Sequence, residues 1–386
     1  MTELLPQRLR QYYQNARDAH PGLLIQRGLE KQDDNDKEVK TQHIESICKI
    51  PASAFYRHAY ERWRDAVADT QRFHAQILTL ETRLFIGLTG GGLLETGCAV
   101  SHSYGMPYIP GSSIKGVVNA QVRRSLFAKH YADACNEIFG AEPSQEHPDG
   151  LAGLLSFYDA WWVPDSAGKP FVEEVVTTHH LDYYGNEGAV PASDLDSPVP
   201  NAQIAVQGQF LLVIEGPSDW LKLAAQMLRD ALTTQGLGAK TRSGYGVFRY
   251  DEAPNQALAV RYKELAQQRH KVEAERQRQV EAQHKQAERE KLSELGRQRV
   301  LLEEEFDCYR KRSEMDQKQR RADLIGQMNK LLNQALEATD HAERQAVADA
   351  LTRIYDTIGW GEPGQKKDKR EKQAQKRRRE IAGLSG

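Results

Sequence analysis

Cysteine is scarce in this sequence. Cys48, Cys98, Cys135 and Cys308 stand apart, with no CxxC spacing among 386 residues. That pattern supports neither a zinc knuckle nor a disulfide framework, and no metal or other cofactor is expected. Long apolar runs are missing too: no stretch approaches the ~18 residues of a membrane-spanning helix. Met1 to Pro6 lacks the charged and apolar regions of a secretory signal. A soluble cytoplasmic chain with no membrane contact is therefore expected. What is present is enough for a core, with ten Phe, fifteen Tyr and five Trp in a chain that is 39% hydrophobic. At ~150 residues per domain, the length suggests two or three folding units.

The formal net charge of −2 conceals a division near Pro254. Residues 1–255 hold 23 bases and 31 acids, and the remainder holds 29 bases and 23 acids. Gly and Pro concentrate before the boundary, so turns and strands belong there. Beyond it the chain is rich in helix formers and nearly free of breakers. The expected organisation is a helical and irregular segment over 1–75, packed on an α+β body over 76–254. A charged long helix and helical hairpin follow over 255–365, then a basic tail over 366–386. In the long helix, from about Ala257 to Gln298, Val260, Leu265, Val272 and Val280 keep only a ragged seven-residue rhythm. That is too sparse for a coiled-coil seam, and the bland reading is a solvated helix laced with i,i+4 ion pairs. Leu324, Met328, Leu331, Leu332 and Ala335 form a clearer stripe. A second runs through Ala346, Val347, Ala350, Leu351 and Ile354, opened by Asp340 with Glu343 three residues on, a capping-box pattern. Lys366 to Glu380 carries nine bases and three acids with no core-forming residue, so this tail is expected to be disordered when free.

Within the body, Leu78, Leu80, Thr82, Leu84, Ile86 and Leu88 alternate as a strand should, running into Gly90, Gly91 and Gly92, where the chain loops out. Pro110-Gly111 ends an extended stretch, Ser112 or Ser113 can cap, and Ile114, Val117, Val118, Val122 and Leu126 make an amphipathic helix. Strands are expected at Leu151–Ala160, Phe171–His179 and Gln203–Glu215, and a helix at Trp220–Leu232. A Gly-rich loop, GLGAKTRSGYG, and a short strand close the body. This order approaches a β-α-β-β-α-β ferredoxin-like unit with insertions. Helices would cover one sheet face and leave the other free for something long and flat.

PYIPGSSIKG (residues 107–116) and GLGAKTRSGYGVF (residues 236–248) together resemble the RAMP superfamily of CRISPR-associated proteins, whose folds are ferredoxin-like and RRM-like. Gly236, Gly238, Gly244 and Gly246 resemble that superfamily's G-loop. The fuller set runs from His20–Leu29 through His102–Gly116, Ile138-Phe139-Gly140, Phe157-Tyr158-Asp159-Ala160 and Thr177-Thr178-His179-His180 with Tyr183-Tyr184. In this order it is similar to Cmr6-type subunits of type III-B CRISPR effector complexes, over roughly residues 20–250. The resemblance implies a noncatalytic RNA-binding subunit that caps the backbone filament near the guide RNA 3′ end and helps hold the guide–target duplex. Its implied partners are guide and target RNA and the neighbouring RAMP backbone and small subunits. The C-terminal helices, outside the resemblance, are expected to dock on another subunit.

Residue chemistry is compatible with RNA contact. Gly-rich loops expose N–H groups to phosphates, and Gly111 before Ser112-Ser113 adds the donors of a helix start. Lys115, Arg123 and Arg124 follow on that helix. Lys240, Thr241, Arg242 and Tyr245 lie in the late loop, and His102, Tyr104 and His180 join the candidate RNA-binding set. Bland readings stand beside each: a tight turn for the glycines, a cap for the serines, solvated cations and a packed tyrosine. The net negative body confines any basic surface to a local patch. Two other classes stay open. One is a metal-independent ribonuclease built from His102, His179, His180, Tyr104, Lys115 and Tyr183. The other is a protein adaptor acting through the tail. His179 and His180 are adjacent on a strand and point to opposite faces, a poor basis for a shared metal. Asp159 and Asp182 read as caps or ion-pair partners.

Overall fold

The computed structural model describes residues 2–384 except 14–18, 33–37, 90–93, 95, 144, 146, 147, 187 and 362–365. The glycine run at Gly90, Gly91 and Gly92 thus lies outside the described residues. The chain divides into two compact units, residues 1–269 and 270–386.

The first unit is built on a six-stranded antiparallel sheet. Its strands are β1 (Phe73–Leu80), β2 (Tyr108–Ile109), β3 (Ser156–Phe157), β4 (Ala160–Trp162), β7 (Gln209–Glu215) and β8 (Phe248–Tyr250). A separate two-stranded hairpin pairs β5 (Phe171–Thr178) with β6 (Val199–Val206). The order across the sheet is β8-β1-β7-β4-β2, with β3 also on β7. With β3 and β4 counted as one interrupted strand, this is the 4-1-3-2 order of a ferredoxin-like unit, extended at one edge by β2. The helices before β1 that matter here are α1 (Pro21–Arg27), α2 (Glu38–Cys48) and α3 (Ala54–Ala66). The crossover helices are α4 (Gly111–Arg124) and α5 (Ser218–Thr234).

The period-two pattern of the central strands divides the core between two sheet faces. Leu78 of β1 and Phe210, Leu212 and Ile214 of β7 face α4 and α5, where Ile114, Val118, Val122, Leu221, Leu228 and Leu232 are buried. Ile77, Leu211 and Val213 face the other way. They are not left for a ligand: Tyr60 of α3 and Leu258 and Tyr262 of α6 (Glu252–Lys291) pack on them. The expectation of one free flat face is therefore corrected. Apolar residues on both faces of β1 and β7 require cover on both sides, and the chain supplies it from α3 and the first turns of the long helix. Asn255 fixes that attachment, its side chain accepting from Ile77 N–H (2.9 Å) and donating to Ile77 C=O (2.8 Å). Arg261 pairs with Asp65 at 2.6 Å. The boundary of the first unit consequently falls after Arg269 and not at Pro254, because residues 252–262 serve the body's core.

Three expected strands differ from the observed ones. Leu151–Ala160 is broken into Leu151–Ala152, Ser156–Phe157 and the start of Ala160–Trp162. Gln203–Glu215 is two strands, broken where Gly208 takes φ +105°. The alternation after Leu80 also leaves the sheet: Glu81 N–H bonds to Val247 C=O, Leu84 bridges Val206, and Phe85 bridges Ala239. Leu84 and Phe85 are both buried in this crossing, so the apolar pattern persists although β1 has ended.

The second unit holds the rest of α6, then α7 (Glu294–Arg310), α8 (Glu314–Glu337), α9 (His341–Ile358) and α10 (Lys367–Ala382). The long-helix expectation splits at Ser293, whose hydroxyl caps α7 by accepting from Gly296 N–H. Val260, Val272 and Val280 are exposed, which fits a solvated surface and no seam. The α8–α9 hairpin is present, with Asp340 accepting from the N–H groups of Ala342 and Glu343. Leu302, Phe306, Leu324, Met328, Leu351 and Ile354 give this unit its own core. The basic tail differs from the disordered expectation. It forms α10, held by Ile381 and Leu384, which lie just beyond the charged run and are 4% and 0% exposed.

Candidate nucleic-acid interface

The Gly-rich loop between α5 and β8 is closed tightly on itself. Leu237 N–H donates to Gly246 C=O, Ala239 N–H to Phe85 C=O and Gly246 N–H to Arg83 C=O, at 2.8–2.9 Å. Ser243 and Tyr245 donate to Lys240 C=O, and Gly244 donates to Thr241 C=O. The reading of this loop as a nest of free N–H donors is thereby corrected: six of them are satisfied inside the protein. Its glycines answer to conformation and close approach. Gly236, Gly238, Gly244 and Gly246 all have positive φ, and a Cβ at Gly238 or Gly246 would collide with the carbonyl of Phe85 or Leu237. Lys240 holds φ +58°, a left-handed position outside glycine's usual preserve. What the loop offers outward is side chains: Lys240 and Arg242 are exposed and Thr241 is half-buried. Tyr245 packs its ring 4.7 Å from that of Phe85. Burial first, and the Glu174 carboxylate second, push its phenol above the ordinary value. Its role here is packing.

The start of α4 is likewise committed. Neither Ser112 nor Ser113 caps; Pro110 is the capping residue, and Gly111 N–H donates to Asp159 Oδ1 at 2.8 Å. A carboxylate thus already occupies the positive end of the helix, which corrects the expectation of an open anion site there. Gly111 is required by contact, since a Cβ would meet the Phe157 carbonyl.

The two motifs nevertheless meet. Ser113 and Gly116 of α4 and Gly238 and Ala239 of the loop line one groove of roughly 500 Å³, together with Gly87 and Thr89. Gly116 has open space where a Cβ would stand. Lys240 follows Ala239 directly in the chain, and Lys240 and Arg242 are exposed on the same loop. A second groove, roughly 950 Å³, runs along another face of α4 and is lined by Lys115, Asn119, Arg123 and Asn136. Arg123 donates to Asn119 at 2.9 Å and to Asn136 at 3.3 Å, so amides steer its guanidinium, which has no ion pair among the described residues. Arg124 is exposed, with no ion pair among the described residues.

The remaining candidates are elsewhere. His102 and Tyr104 line a pocket of roughly 310 Å³ with Tyr56, Tyr108, Asp159 and Trp161. Tyr104 packs 5.2 Å from Phe55 and 5.5 Å from Trp161. His180 is held by Asp196 (Nδ1 to Oδ2, 2.8 Å), and the same contact keeps the Asp196 carboxyl below the usual aspartate range. The ribonuclease candidates therefore have different neighbours: His102 lines the aromatic pocket, Lys115 the polar groove, and His180 is tied to Asp196. Among the described residues, no group of three or more His, Cys, Asp or Glu is placed to hold a metal. Burial pushes the Cys48 and Cys98 thiols up to about 12, so neither supplies a thiolate near neutral pH. Sequence reasoning missed Gly87, Gly116, Asn119 and Asn136. The i,i+4 series Lys115–Asn119–Arg123 was the available signal for one face.

The ferredoxin-like order, the glycine-closed loop and its contact with α4 define a class. Residues 77–249 match the RAMP superfamily. Among curated proteins, the CRISPR system Cmr subunit Cmr6 of Pyrococcus furiosus is 27% identical over 262 residues, 54% of this chain and 77% of that one. The CMR subunit Cmr6 of Saccharolobus solfataricus is 29% identical over 179 residues, 44% of this chain and 55% of that one. Among solved structures, a chain of the type III-B Cmr-beta complex bound to cognate target RNA aligns with TM-score 0.44 at 21% identity, over 57% of this chain and 77% of that one. The crystal structure of Cmr6 from Pyrococcus furiosus aligns with TM-score 0.30 at 24% identity, over 46% and 99%.

Proposed function

We propose that this chain is a noncatalytic, RNA-binding structural subunit of a type III-B CRISPR ribonucleoprotein. It caps the backbone filament near the guide RNA 3′ end and helps hold the guide–target duplex, beside RAMP backbone and small subunits. The observation that carries the reading is the groove where Gly87, Ser113, Gly116 and Gly238 converge, with Lys240 and Arg242 exposed on the same loop. Small residues on three segments let a sugar–phosphate backbone approach closely, and cations on the same loop would supply the charge that phosphates require. Sequence would be read by base pairing, leaving this surface to read shape and charge. The Cmr6 relatives support the assembly part of the reading. His102 and Lys115 line different pockets and His180 is bound to Asp196, which fits a noncatalytic role better than a shared reaction centre.

The test is RNA retention by Lys240→Ala plus Arg242→Ala across a salt series. Loss of two phosphate contacts should lower the log–log salt slope by about 1.4 for a single strand, with circular dichroism unchanged. Equal retention at every salt concentration would remove these residues from the interface.

A further inference from the structure

We infer that α10 is a second, sequence-independent binding surface for the phosphate backbone of RNA. This surface lies in the helical unit outside the RAMP match, so the inference does not rest on the groove. Lys366 to Glu380 holds nine bases against three acids, and in the folded chain it is ordered. Two of those bases are used as anchors. Arg377 is 8% exposed, donates to Trp360 C=O at 2.8 Å and lies 5.3 Å from the Tyr355 ring centroid. Arg378 lies 5.0 Å from that of Trp360. Ile381 and Leu384 complete the attachment. The helix is thereby fixed with its other cations outward. At 3.6 residues per turn, Lys369, Lys372, Lys376 and Arg379 fall within an arc of about 80° and span about 15 Å along the axis. All four are exposed. Their one ion pair among the described residues is Lys376–Glu380 at 3.7 Å, an exposed i,i+4 pair of little strength.

The outward face from Lys367 to Arg379 has no apolar residue. Protein interfaces are depleted in Lys and need an apolar centre, and a membrane-surface helix needs an apolar face to insert. A rigid row of cations with neither matches a polyphosphate strand, which is bound by charge and counterion release alone. Lysine side chains suit this use, as point charges that do not demand one fixed phosphate geometry.

The test uses the full chain and a short fluorescein-labelled oligouridylate, followed by anisotropy over a salt series. The variant replaces Lys369, Lys372, Lys376 and Arg379 with Gln, a helix former, and leaves Arg377 and Arg378 in place. Four lost phosphate contacts lower the log–log salt slope by about 2.8, equivalent to about 50-fold less weakening between about 50 and 200 mM salt. Unchanged helicity and melting exclude unfolding as the cause. A slope equal to wild type overturns the inference. So does tighter binding to a polyglutamate peptide of matched charge, which would assign the stripe to an acidic protein. The Lys240→Ala plus Arg242→Ala chain, measured in parallel, keeps the two surfaces distinguishable. If it binds as wild type while the glutamine variant does not, the groove fails and α10 stands.

Discussion

Replacing Gly116 separates the stability of α4 from the use of its groove. Gly116 lies in the interior of a fourteen-residue helix, and a Cβ there meets nothing within 4 Å. Alanine at an exposed helix interior is better than glycine by about 0.8–1.0 kcal/mol. For a unit of this size that raises the melting temperature by about 1.5–2 °C. Gly116→Gln and Gly116→Glu keep most of that gain, since both residues are good helix formers. They differ in what they place in the groove. A carboxylate about 6 Å from a phosphate costs about 1–3 kcal/mol at an effective dielectric between water and a protein surface. Gly116→Glu should therefore bind RNA about 5- to 150-fold more weakly, whereas Gly116→Gln loses only what its bulk displaces. Calorimetry and anisotropy on the same preparations read both quantities. A lower melting temperature for Gly116→Ala would refute the open-space reasoning. A Gly116→Glu chain that binds RNA like the glutamine variant would refute the groove as a phosphate path.

The loop glycines should divide by cause. Gly238→Ala and Gly246→Ala add a carbonyl collision to positive-φ strain and should cost more than about 2 kcal/mol, while Gly244→Ala, with open space, costs about 1; equal urea midpoints for all three would refute the distinction. Stability should also fall between pH 7 and 5. Burial lowers the pKa of His43 and His74 below the ordinary 6.5, so as pH drops through that value the unfolded chain takes up protons that the folded chain refuses. His74→Gln should flatten this decline, and an unchanged pH profile of urea midpoints would remove His74 as its source. In the second unit, Ile381→Ala should cost about 2–4 kcal/mol, because Ile381 anchors α10 in a packed core. A calorimetric trace identical to wild type would return the tail to the disordered reading.

The alternation that begins at Leu78 and Leu80 is a local signal, and the succession of strands and helices along the body is enough to read the ferredoxin-like order. The hairpin α8–α9 was legible for the same reason, from two stripes and an N-terminal aspartate. Cover of the second sheet face was not legible, because it comes from residues before β1 and after β8, and no local periodicity announces a contact at that separation. The helix start at Gly111 was misread for a related reason. Ser112 and Ser113 satisfy the local rule for caps, yet a carboxylate from Asp159, 48 residues away, supplies the acceptor. Ile381 and Leu384 escaped notice because two apolar residues after a charged run carry no period. In the Gly-rich loop, the residue types point to the right chemistry, but which N–H groups remain free depends on the carbonyls of Phe85 and Arg83, which lie in the segment that follows β1.

The closing of these N–H sites bears on how a body with 31 acids and 23 bases over residues 1–255 could receive RNA. Several carboxylates are engaged in holding the fold. Asp65 binds Arg261 and Arg64, Glu215 binds Tyr158 and Arg72, Asp251 binds Thr79 and Arg249, and Asp196 binds His180. Each of these partners stabilises the charged form, and each of the four carboxyls is held below its ordinary range. Lys115, Arg124, Lys240 and Arg242, by contrast, have no ion pair among the described residues. Acids used internally and cations left outward give a local surface whose sign differs from the net charge. The contacts proposed for RNA should therefore be few, local and strongly dependent on salt, and replacing any one of these cations should lower the salt slope without moving the melting temperature.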